Sequence, residues 1–153
     1  MLIALEFLIG IIAGLRALMA PTMVSWGAGL GWIPLADTGL HFMASPITRY
    51  IFSFLELGEL VNDKLPKTPS RTVPPQFIVR ILMGGFSGAA IGLAKGSWII
   101  GAVAGAAGAV VGTLGGAAFR RTLVKAIGGK DLPIALLEDA IAIIGGLLII
   151  SHV

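Results

Sequence analysis

The chain has no cysteine and only two histidines among its 153 residues. Disulfides and thiolate chemistry are therefore unavailable. His41 and His152 lie far apart in sequence, and each reads as an interfacial residue rather than a catalytic one. No Ser-His-Asp or Cys-His set, no zinc-type ligand spacing and no phosphate-cradling glycine fingerprint can be placed. No cofactor, no metal and no enzymatic activity are expected, although Arg, Asp and Glu could serve a membrane enzyme acting on lipid phosphates. Charge is scarce as well. Only 12% of residues are Asp, Glu, Lys or Arg, against about 25% in a typical soluble domain. That is too little to cover a surface facing water.

What is present is apolar. Hydrophobic residues make up 56% of the chain, and the mean hydropathy is +0.95. Lipid is the solvent such a surface fits. The net charge of +3 would point to nucleic acid in a soluble protein. Here the basic residues sit at the ends of apolar runs, as membrane topology requires. No nucleic-acid partner is expected, and residues 1–153 read as a single integral membrane domain. Met1 to Ala20 does not read as a cleaved signal. No Lys or Arg precedes its apolar core, Glu6 does, and Arg16 interrupts it.

Five segments reach the length needed to cross about 30 Å of hydrocarbon. The first is Met1–Val24, with Pro21 expected to kink or stop it. Trp26 and Trp32 follow as an interfacial belt, in a glycine-rich loop over Gly27–Ser45 that has no Lys or Arg. The second is Pro46–Leu65, begun by Pro46. Pro66–Pro75 holds four of the eight prolines and must be a loop. The third is Gln76–Lys95. The fourth runs from Trp98 to Leu123, or on to Ile127, before Gly128 and Gly129. The fifth, capped by Asp131, runs to His152. The expected fold is an all-α, polytopic transmembrane bundle of about five helices.

Basic residues cluster after the second segment (Lys64, Lys67, Arg71) and after the fourth (Arg120, Arg121, Lys125, Lys130). Five spans would put both clusters on one side, the cytoplasm, with the N-terminus inside and the C-terminus outside. Glycine recurs every four residues at Gly84, Gly88, Gly92 and Gly96, at Gly101 and Gly105, and at Gly108, Gly112 and Gly116. Each set forms a groove without side chains, the device by which helices associate in lipid. Such faces could pack within one chain or support a homodimer, the favoured oligomer.

Chemistry must lie in the intramembrane charges, each of which needs a partner or water. Glu56, Glu59 and Asp63 share one face of the second segment, and Arg49 joins the stripe. Three carboxylates on one face repel, so a proton or a cation belongs there. Arg16 and Arg80 are the candidate cations, and Glu138 and Asp139 form a second acidic pair. These seven residues are the candidate ion- or solute-binding set: Arg16, Glu56, Glu59, Asp63, Arg80, Glu138 and Asp139. An inverted repeat is read from AGLRALM before FLELGELV and GGAAFRRTL before LLEDAIAI. Each is a Gly/Arg helix followed by an acidic one, and opposed repeats are a transporter device. Buried ion pairs that only fix helix register would use the same residues.

The stretch ELVNDKLPKTPSR, with AGLRA at Ala13–Ala17 and LLED at Leu136–Asp139, resembles the bacterial membrane family catalogued as domain of unknown function 4126. The resemblance implies a small polytopic helical protein of the bacterial inner membrane. It implies no activity, and it points to Arg16, the acidic pair and the loop residues Lys64, Pro66, Pro69, Ser70 and Arg71. That cationic loop could gate a path or meet anionic headgroups. The function expected is a transporter or channel for an ion or small polar solute. The alternative is a structural or accessory membrane protein.

Overall fold

The computed structural model describes residues 2–35, 37–63, 74–129 and 132–153. Lys64, Pro66, Pro69, Ser70, Arg71 and Asp131, and the side chain of Asp63, lie outside the described residues. Among the described residues six α-helices form: α1 (Leu2–Leu15), α2 (Met19–Gly29), α3 (Pro46–Asp63), α4 (Pro74–Lys95), α5 (Trp98–Ala126) and α6 (Leu132–Ser151). No strand occurs among them. A 3-10 turn, His41–Ala44, precedes α3. Among the described residues three helices, α4, α5 and α6, are long and apolar enough to cross a membrane.

The first segment is not one helix. Arg16, Ala17 and Leu18 leave the helical path. Pro21 supplies the reason. Its ring would collide with the carbonyl four residues earlier, that of Ala17, in a continuous helix. As the third residue of α2, Pro21 lacks an N–H that the first turn would leave unpaired anyway. Proline thus starts the second piece instead of ending the first.

Contacts give the direction of every helix. Gly10 meets Gly105, and Gly14 meets Ala109 and Thr113, so α1 and α5 run parallel. Gly84 meets Gly105 and Gly88 meets Gly101, so α4 runs against α5. Arg16 bonds Asp139, whereas Ile12 faces Gly145; α6 therefore runs against α1. Met23 lies on Gly146 and Gly27 on Ile150, so α2 runs with α6 and back along α1. α1 and α2 are a helical hairpin with Arg16–Leu18 at its tip. α3 lies along α2 in the opposite sense: Trp26 Nε1 donates to Ser53 Oγ (2.9 Å), and Glu59 reaches the tip.

This corrects three expectations. The first segment turns back, so the start of α1 and the end of α6 share one end of the bundle, where Leu2 packs by Gly96. The N- and C-terminal helix ends therefore do not lie on opposite sides. The C-terminal ends of α3 and α5 share the other end. The two Gly/Arg helices of the expected inverted repeat, α1 and α5, run parallel, because the hairpin adds one reversal of the chain between them.

Along the α1, α4 and α5 seam the backbones nearly touch. A Cβ at Gly88 would overlap the carbonyl oxygen of Gly101, one at Gly105 that of Gly84, and one at Gly108 that of Phe7. Gly92 lies against Ser97, Gly112 against Ile11, and Gly116 is buried. The loop after α2 turns at Gly31, whose φ of +82° suits glycine. It then tucks Ile33, Leu35 and Met43 under the bundle, all fully buried.

Candidate functional site

The hairpin tip leaves two helix ends open inside the bundle. The last carbonyls of α1 carry partial negative charge, and the first amides of α2 carry partial positive charge. Charged side chains from other helices meet each end. Arg80 Nη1 of α4 donates to the Gly14 carbonyl at 3.0 Å. Arg16 Nη1 donates to the Leu15 carbonyl at 3.2 Å. On the α2 side, the amides of Ala17 and Leu18 donate to the two oxygens of Glu59 at 2.8 and 2.9 Å. Guanidinium thus faces the negative end, and carboxylate the positive end.

Arg16 has no exposed surface. Its Nε donates to Asp139 Oδ1 at 2.8 Å, and its Nη2 donates to the same oxygen. Its Nη1 also lies 3.6 Å from Glu138 Oε1. The second oxygen of Glu138 faces Arg120 Nη1 of α5 at 3.8 Å. A chain of alternating charge therefore runs Asp139, Arg16, Glu138, Arg120 across α6, the hairpin tip and α5.

Glu56 is different. It is 5% exposed, and neither carboxylate oxygen has a hydrogen-bond partner. Within electrostatic reach it has Glu59, Arg16, Asp139 and Arg80. Unlike Asp139 and Glu59, it receives no hydrogen bond from the described residues.

Of the seven residues expected to bind, the structure brings six to the tip: Arg16, Glu56, Glu59, Arg80, Glu138 and Asp139. Asp63 closes α3 with its backbone. Sequence reasoning placed Arg120 only in a cytoplasmic charge cluster, although its arginine neighbours a helical face shared with buried Gly116. It also passed over Glu6, which is 1% exposed and distant from the tip. A carboxylate inside the apolar run LIALEFLIG was the available signal. His41 and His152 are exposed and take no part.

Neither a curated protein nor a solved structure matches the chain. The family model described as Domain of unknown function (DUF4126) matches residues 3–152, nearly the whole length, and the chain therefore belongs to that family.

Proposed function

We propose that this protein is a small transporter or channel for an ion or small polar solute, with its site at the tip of the α1–α2 hairpin. One observation carries the reading: the carboxylate of Glu56 is buried without a hydrogen bond beside a break in the helical backbone. In a bilayer, non-helical backbone is tolerated only where protein or a water-filled cavity surrounds it. Broken helices whose opposed ends meet charged groups are a recurring way to build a midplane binding site.

Depth supports the same reading. The 14 residues of α1 carry the tip about 21 Å from one end. In α6, Asp139 lies seven residues after Leu132, so about 10 Å separates it from the other end. The tip falls inside a hydrocarbon layer of about 30 Å. The basic residues Arg120, Arg121 and Lys125 assign the nearer end to the cytoplasm. The start of α1 and the end of α6 then face outward, opposite to the N-terminal orientation drawn from five spans.

Purified protein in liposomes should pass an ion or small polar solute, and Glu56→Gln should abolish or redirect that flux. Wild-type protein that is monodisperse and folded, yet passes nothing across a broad panel of ions and solutes, ends this reading. The accessory-protein reading draws on the direct pairing of Arg16 with Asp139. It requires flux to be absent and Glu56→Gln to be silent. No catalytic role is assigned. The glycines at Gly84, Gly88, Gly105 and Gly108 pack within one chain, so a homodimer would use another surface.

A further inference from the structure

A second carboxylate lies well away from the tip. Glu6 stands one turn into α1, toward the end where α4 passes into α5. It is 1% exposed, and neither of its oxygens has a hydrogen-bond partner. Two glycine positions on the neighbouring helices lie close to it. A Cβ at Gly92 would come within 3.0 Å of Glu6 Oε1, and one at Gly101 within 3.1 Å. The carbonyl oxygen of Ser97 crowds the first of those points, and that of Gly88 the second. An acid is therefore set among carbonyl oxygens, which are acceptors like itself.

Among the described residues no cationic side chain pairs with it. On the elements packed around it, Arg80 is bonded to the Gly14 carbonyl at the tip. Arg120 pairs with Glu138. Arg16 is held by Asp139. Arg121 and Lys125 lie further along α5, beyond Arg120, and Lys95 at the end of α4 is exposed. A bare carboxylate in apolar, water-poor surroundings is unstable, so something positive must reside there. Oε1 has its place only because Gly92 and Gly101 carry no side chain, and a proton needs no ligand shell of its own. The cation that fits is the smallest one.

We propose that Glu6 is a proton-binding site, separate from the hairpin tip, that exchanges its proton with the membrane face nearest the α4–α5 turn. In the loaded state the carboxyl O–H donates to the carbonyl of Ser97 or Gly88. On unloading, the proton leaves to water at that face. Toward the tip, Ser87 of α4 and Thr113 of α5 follow in axial order, each a buried hydroxyl without a hydrogen-bond partner. They give the proton a polar direction to follow if it moves inward. The proposal does not depend on transport: a silent flux assay leaves it standing.

The test is infrared spectroscopy of the purified full-length protein in lipid, titrated with pH in H2O and D2O. The protonated-carboxyl C=O band should contain a component that shifts in D2O, weakens as pH rises, and vanishes in Glu6→Gln. Glu6→Asp should keep the component at a displaced frequency. Glu56→Gln should leave it in place, which separates this site from the tip. Any of the following results overturns the proposal. One is a Glu6→Gln spectrum identical to wild type at every pH. Another is a Glu6 component that persists at all pH values, since a proton that never leaves is structural. The third is loss of that component when Na+ or Li+ is added at fixed pH, which assigns the site to a metal cation. Glu6→Gln that fails to fold is met by reading Glu6→Asp alone, whose unshifted band also overturns it.

Discussion

Removing the Arg16 guanidinium should be among the most damaging single changes in this protein. Arg16→Met keeps much of the side chain's volume and deletes its charge. It strips Asp139 of two hydrogen bonds and takes an ion-pair partner from Glu138. Breaking a buried pair from one side costs about 3–5 kcal/mol, because the partner is left charged and uncompensated. Asp139→Asn should cost less, about 1–3 kcal/mol, since Arg16 keeps Glu138 at 3.6 Å. The double variant leaves Glu138 facing Arg120 at 3.8 Å and removes both members of the closest pair. Its loss should fall below the sum of the single losses by about 2 kcal/mol or more. Side-chain hydrogen bonds between membrane helices average only about 0.6 kcal/mol in such cycles, so this coupling would stand apart. Unfolding in mixed micelles, followed by the fluorescence of Trp26, Trp32 and Trp98, measures all four forms. Additivity to within about 0.5 kcal/mol would refute the assignment of Arg16 and Asp139 as one buried unit.

Two further outcomes follow from the packing and the hairpin. Gly88→Leu should prevent folding, because its Cβ already collides with the Gly101 carbonyl, whereas Gly115→Ala meets nothing within 4 Å and should leave thermal stability in detergent unchanged. Because the chain has no cysteine, single cysteines at Leu2, Gly128 and Ser151 report sidedness with an impermeant thiol reagent in oriented vesicles. Positions 2 and 151 should react from one side and 128 from the other; opposite labelling of 2 and 151 would restore an odd number of crossings.

Composition alone decided the solvent. With 12% charged residues, no arrangement of this chain can present a polar surface to water, so membrane helices follow whatever their order. Helix starts and stops were legible where a single residue enforces them. Pro46 opens α3, Ser97 caps α5 by accepting from the Ile100 amide, and Gly128 and Gly129 take positive φ after it. The acidic face of α3 was legible too, since the spacing of Glu56 and Glu59 follows from helical geometry alone.

The sequence could not decide what those faces meet. Pro21 announces a break somewhere upstream, but whether the chain then continues or reverses depends on whether the second piece finds a surface to pack on. It finds α3 and α6, and reversal follows. That reversal puts the ends of α1 and α6 together and makes α1 parallel to α5. It also brings the carboxylate of Glu59 onto amides 42 and 41 residues away and Arg16 onto an aspartate 123 residues away. Local pattern fixes which groups are buried, because burial follows hydropathy. Only tertiary packing fixes which buried charge faces which, because in a medium that cannot solvate ions each one is settled by its nearest neighbour.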